Sequence, residues 1–204
     1  MTFWDLSAPF YDKAEQANTA YHGMLRLTRE ITPQGASVFE TAAGTGAVSL
    51  YISDKAKNIV CTDISERMLN VARKRAAKQG ATNIKFSIRN IFETNEPGGS
   101  YDIVIASQVL HLIDEPRKAA EELKRISRKA VITSVALLKN LRGFYVRPAV
   151  GIWRFLGFAP KREFDAESYR EFLCDIGLPP SRYEIVGGNI PMAVAVWGKP
   201  RDEF

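Results

Sequence analysis

Residues 38–46, Val38-Phe39-Glu40-Thr41-Ala42-Ala43-Gly44-Thr45-Gly46, constrain the fold of this chain more than any other stretch. An apolar pair reads as the end of a buried strand, and an acid and a loop of nothing larger than threonine follow. Such a loop lets backbone N–H groups approach a ligand closely, and its glycines permit a tight turn into a helix. The acid ahead of the glycines changes the chemistry. A pyrophosphate would be repelled by a carboxylate there, whereas a ligand carrying a cationic amine next to adenosine would be attracted. The dinucleotide fingerprint also asks for a third glycine, where this chain has Ser49. A plain strand-to-helix turn is the bland alternative.

The next segment, Asn58-Ile59-Val60-Cys61-Thr62-Asp63-Ile64-Ser65, narrows the choice. Its apolar run reads as a second strand over 59–62, with Asp63 at the carboxyl end. An acid about 20 residues beyond a glycine loop is placed to accept both ribose hydroxyls of a nucleoside ligand. Ser65 reads as the N-cap of a helix opening Glu66-Arg67-Met68-Leu69, with the acid in the first turn as the helix dipole favours.

The rest of the chain alternates strands with helices, which predicts a mostly parallel sheet. Helices are expected over residues 17–31, 46–54, 66–79, 115–127 and 166–176. Strands are expected at 37–41, 58–62, 83–88, 101–106, 130–135, 182–187 and 191–197. Pro33-Gln34-Gly35, Gly80 and Pro97-Gly98-Gly99-Ser100 supply the stops and turns.

Composition agrees with a single α/β domain. The 204 residues are 46% hydrophobic and 25% charged, enough for a sizeable core. No uncharged apolar run reaches the ~20 residues of a membrane span, and Met1-Thr2-Phe3-Trp4-Asp5 does not read as a signal peptide. The two cysteines, Cys61 and Cys174, are expected as free thiols in a reducing, cytoplasmic setting. Two cysteines and two histidines at scattered spacing make no metal site.

The pattern Glu40-x-x-x-Gly44-x-Gly46 resembles motif I of the class I S-adenosylmethionine-dependent methyltransferases, and Asp63 matches their ribose acid. Tyr101-Asp102-Ile103-Val104-Ile105-Ala106-Ser107-Gln108-Val109-Leu110-His111-Leu112 looks like the fourth motif of the small-molecule branch. Phe3-Trp4-Asp5-Leu6-Ser7-Ala8-Pro9-Phe10-Tyr11-Asp12 is similar to the opening of the ubiquinone and menaquinone methyltransferases. The resemblance covers nearly the whole chain. It implies a Rossmann-like, seven-stranded, mostly parallel sheet with helices on both faces and the last strand antiparallel. Residues 1–35 would form a lid and helix, 36–137 the cofactor-binding core, 138–165 a substrate cap, and 166–204 the closing helix and strands.

By the same resemblance S-adenosylmethionine is the expected cofactor and S-adenosylhomocysteine the product. Tyr11, Glu40, Ala42, Gly44, Gly46, Asp63, Ile64, Met68, Asn90, Ile91, Ser107 and Gln108 are the expected cofactor residues. Asn90 stands where the family usually carries an acid, but its amide carbonyl can still accept from adenine. Trp4, Tyr21, His22, Tyr145, Arg147 and Trp153 are candidates for the substrate side. His111 is the candidate general base, against the alternative of a hydrogen-bonded structural histidine.

Residues 138–162 hold Lys139, Arg142, Arg147, Arg154, Lys161 and Arg162 among aromatics, with no acid. Such a segment suits an aromatic, anionic or lipid-like acceptor, an interfacial role, or a plain structural cover. The net charge of +5 keeps RNA methylation as the runner-up. Against it, Ser107-Gln108-Val109-Leu110 stands where base-amine methyltransferases carry Asn/Asp-Pro-Pro-Tyr/Phe. A non-catalytic cofactor-binding subunit is the third reading. The assembly is expected to be a monomer or homodimer.

Overall fold

The first helix among the described residues starts from a capping side chain: Asn18 Oδ1 accepts the N–H of Ala20 at 3.1 Å. The computed structural model describes residues 18–139 and 160–198. In chain order these hold α1 (Thr19–Ile31), β1 (Ser37–Glu40), α2 (Ala47–Ile52), β2 (Asn58–Asp63), α3 (Glu66–Gln79) and β3 (Ile84–Ile88). They continue with β4 (Tyr101–Ser107), α4 (Pro116–Ile126), β5 (Ser127–Ala136), α5 (Ala166–Asp175), β6 (Arg182–Val186) and β7 (Met192–Gly198).

The strands form one sheet in the order β3-β2-β1-β4-β5-β7-β6. Strands β1 to β5 pair in parallel, and β7 lies antiparallel between β5 and β6. This is the Rossmann-like sheet expected from the sequence, with the last strand inserted antiparallel. The strand order reverses between β1 and β4, so their carboxyl-terminal loops diverge and open a crevice at that switch point.

Alternate residues of the central strands feed two separate cores. Phe39, Val104, Ala106, Val131 and Val135 pack on one face with Ala119 and Leu123 of α4 and Tyr169 and Leu173 of α5. Val38, Ile103, Ile105 and Ile132 pack on the other with Met24 of α1, Ile52 of α2 and Leu69 of α3. Both faces of the central strands are buried, which is why they read as near-continuous apolar runs.

Helix ends follow local chemistry. Ser65 Oγ accepts the N–H of Met68 at 3.2 Å at the start of α3, and Gly80 closes it at φ 70°. One boundary departs from expectation: β5 begins at Ser127 rather than residue 130, directly after α4. The Ser127 N–H caps α4 at Leu123 O, so one residue both ends the helix and starts the strand. No helix among the described residues is long and apolar enough to cross a membrane.

Candidate functional site

At the crevice lies a cavity of about 430 Å³. The β1 loop contributes Thr41, Ala42 and Gly44, and the end of β2 contributes Asp63 and Ile64, with Met68 from α3. The segment after β3 adds Arg89, Asn90, Ile91 and Phe92. The end of β4 and its loop add Ser107, Gln108, Val109 and Leu112 through Glu115. Nine of the sequence-predicted cofactor residues therefore surround one space: Ala42, Gly44, Asp63, Ile64, Met68, Asn90, Ile91, Ser107 and Gln108. Glu40 lines a smaller cavity of about 40 Å³, which shares Ala42, Gly44, Ser107 and Gln108 with the large one and adds Tyr21.

Asp63 is 7% exposed and holds the glycine loop in place. Its Oδ2 accepts the N–H of Gly44 at 2.8 Å, and its Oδ1 accepts the N–H of Ser65 at 2.8 Å. The β1 loop is also tied to β2 through Ala43 N–H to Thr62 O at 2.9 Å and Thr62 Oγ1 to Glu40 O at 3.0 Å. The acid that sequence reasoning assigned to a ribose thus also organises the loop beside it.

Glu40 is buried, and its Oε2 accepts from both the backbone N–H and the hydroxyl of Ser49. Burial pushes its pKa up to about 7; the Ser49 hydrogen bonds oppose this and the nearby Asp63 charge reinforces it. An acid so poised gains much from a cation beside it. Ser49, which stands at the third-glycine position of the dinucleotide fingerprint, holds this carboxylate. The Cys61 thiol is buried among the same groups and stays protonated.

Two cavity residues other than glycine take the left-handed backbone region: Ala42 at φ 48° and Gln108 at φ 55°. Such strain clusters at ligand sites, where surrounding structure enforces it. Gly46 (φ 73°) does not line either cavity. It caps α2, and a Cβ there would stand 3.0 Å from Ala72 Cβ, so this glycine permits close packing on α3. Asn90 is exposed and its Oδ1 accepts the Phe92 N–H at 3.0 Å, so its carbonyl is already partly used locally.

His111 is 5% exposed and absent from the cavity walls; burial lowers its pKa to about 4, so its ring is neutral at pH 7. His22 is exposed on α1, with its ring edge-on to Tyr21 at 6.3 Å. Tyr11, Trp4, Tyr145, Arg147 and Trp153 lie outside the described residues. Sequence reasoning missed Thr41, Arg89, Phe92, Val109, Leu112, Ile113, Asp114 and Glu115 as cavity residues. Their only signal was adjacency to strand ends, since no residue type among them marks a ligand.

Residues 38–130 match the family described as Methyltransferase domain. Demethylmenaquinone methyltransferase of Clavibacter sepedonicus is 34% identical over 100 residues, covering 48% of this chain and 40% of that protein. The enzyme of the same name from Paenarthrobacter aurescens is 29% identical over 166 residues, covering 76% of this chain and 58% of that protein. A SAM-dependent methyltransferase of Aquifex aeolicus superposes with a TM-score of 0.66 at 20% identity, covering 85% of this chain and 89% of that one. The sheet order and the glycine-loop crevice agree with the methyltransferase-domain match over residues 38–130, and the likeness to the solved structure shows the same fold. The chain spans about half the length of these two curated relatives.

Proposed function

We propose that this protein transfers the methyl group of S-adenosylmethionine to a small, largely apolar acceptor, leaving S-adenosylhomocysteine. The observation that carries the reading is a pair of cavities that share the walls of one loop. Asp63 stands in the larger, Glu40 stands in the smaller, and Gly44 lines both. A ligand with a ribose at one end and an ammonium at the other matches that pair of acids.

The cofactor supplies, when bound, a methyl group on a sulfonium sulfur whose departure leaves a neutral thioether. The chain's own work is binding, orientation and exclusion of water. Asp63 would accept from the ribose hydroxyls, and Glu40 would face the amine. Met68, Ile64 and Ile91 would enclose the adenine. Val109, Leu112 and Ile113 give the remaining wall an apolar surface next to the reacting centre. Since His111 does not line this space, we assign no proton transfer to it. The names of the curated relatives support a quinone-like acceptor as the first class to test.

The test is incubation with methyl-labelled S-adenosylmethionine, metabolite extracts and reduced naphthoquinones, with products identified by mass spectrometry. Label in a small apolar product is expected. Label in RNA would replace this reading with the runner-up, and cofactor binding with no labelled product anywhere would favour a non-catalytic subunit.

A further inference from the structure

Among the described residues, three buried side-chain polar atoms have no hydrogen-bond partner: Arg89 Nε, Gln108 Nε2 and His111 Nδ1. Such atoms are rare because an unpaired donor shielded from water is costly, so each asks for an explanation. His111 does not line the cavity. Arg89 does, yet its guanidinium already stands 3.7 Å from Glu96 Oε1.

Gln108 is different because its amide has a fixed orientation. Oε1 accepts the N–H of Ala136 at 3.1 Å, a bond that the NH2 end cannot accept. Its backbone N–H donates to Ser134 O at 3.0 Å, while its φ is held at 55°. The residue is thus strained, clamped at two points to the end of β5, and left with a solvent-shielded donor in a ligand cavity. Strain and an unsatisfied donor together at one residue mark a group reserved for a ligand.

The position of that donor selects the ligand. Gly44 and Asp63 lie beyond β1 and β2, whereas Ala136 draws the Gln108 side chain toward β5, on the other side of β4. Gln108 also borders the smaller Glu40 cavity, but on the wall of the larger one the loop that follows it presents Val109, Leu112 and Ile113, all apolar. Resting on the methyltransferase reading above, we infer that Gln108 is a specificity-determining residue whose Nε2 donates a hydrogen bond to an oxygen of the methyl acceptor. The acceptor class is then an apolar molecule bearing a hydroxyl, carbonyl or oxyanion. A neutral amide discriminates by leaving its donor unpaired with any analogue that lacks the oxygen.

The experiment is calorimetry on the protein saturated with S-adenosylhomocysteine, using 1-naphthol and naphthalene as probes. The native protein should prefer 1-naphthol by roughly tenfold, the scale of one good neutral hydrogen bond. Gln108→Glu keeps the oxygen used by Ala136 but replaces the donor with an acceptor, and Gln108→Leu removes both. Each should lose the preference while S-adenosylhomocysteine affinity stays within about twofold. If Gln108→Leu fails to fold, the near-isosteric Gln108→Glu carries the test. The inference is overturned by equal probe affinities in the native protein or by a preference that survives the substitutions. It is also overturned if affinity for S-adenosylhomocysteine falls about tenfold, which would assign the amide to the cofactor. Failure of the native protein to bind S-adenosylhomocysteine at all would instead remove the methyltransferase reading, and this inference with it.

Discussion

Ala42 occupies a backbone conformation that glycine adopts at no steric cost, and it does so inside the ligand cavity. Relief of left-handed strain, roughly 1–2 kcal/mol, outweighs the added freedom of an unfolded glycine, roughly 0.5–1 kcal/mol. Ala42→Gly should therefore stabilise the protein by about 0.5–1 kcal/mol, read as a higher urea midpoint with an unchanged slope. Glu40 gives a prediction about ligand binding. Its pKa near 7 falls when an ammonium group binds beside it, so binding releases a proton and strengthens as pH rises through 7. Calorimetry of S-adenosylhomocysteine in buffers of different ionisation enthalpy measures that proton directly. Glu40→Gln should abolish the proton release; a native titration with no proton release would remove Glu40 from the amine site.

His111 acts on stability in the opposite direction to an acid whose pKa is raised. Its folded pKa of about 4 lies below the ordinary 6.5, so the unfolded chain binds the proton first. The stability it contributes is complete above pH 6.5 and is lost as pH falls toward 4. Urea midpoints measured across that window should fall less steeply for His111→Gln than for the native chain. In turnover, the same variant should stay within about threefold; a loss of 10²–10⁴-fold would restore the general base.

Among the elements, α2 and α3 depend on a glycine for their packing. Gly46→Ala places a Cβ 3.0 Å from Ala72 Cβ in a backbone with φ 73°. The left-handed cost alone is about 1–2 kcal/mol, so the urea midpoint should drop by at least that much. Strands and helices with strong local signals were legible in the sequence. Ser65 and Gly80 bound α3 as their capping chemistry requires, and Pro116 opens α4. The early start of β5 was not legible. Ser127-Arg128-Lys129 is polar, and its pairing begins through Tyr101 on the neighbouring strand, a contact that sequence periodicity does not register. In the site, Glu40, Gly44 and Asp63 were legible because their spacing is chemical. Ala42 and Gln108 were named for where they fall in the motifs. Their strain, and the clamp on Gln108 from Ala136, arise only when β4 and β5 lie side by side.

At the scale of the whole molecule, one sheet brings together loops far apart in sequence. The reversal of strand order between β1 and β4 opens the crevice, the crossover to β2 sets Asp63 against Gly44, and α1 carries Tyr21 to the wall of the Glu40 cavity. The excess of basic residues does not define this crevice. Arg89 is the one cation among its described walls, beside the acids Asp63, Asp114 and Glu115. That charge pattern favours a cationic nucleoside ligand over a polyphosphate.

The central claim is that this crevice holds the adenosyl cofactor through Asp63. Calorimetric titration of S-adenosylhomocysteine into the native protein and into Asp63→Ala tests it most directly. Native binding at one site is predicted. A folded Asp63→Ala variant should bind more weakly by about 1.5–3 kcal/mol for each charge-assisted hydrogen bond lost to the ribose. Unchanged affinity in that variant, or no binding by the native protein, would contradict the account.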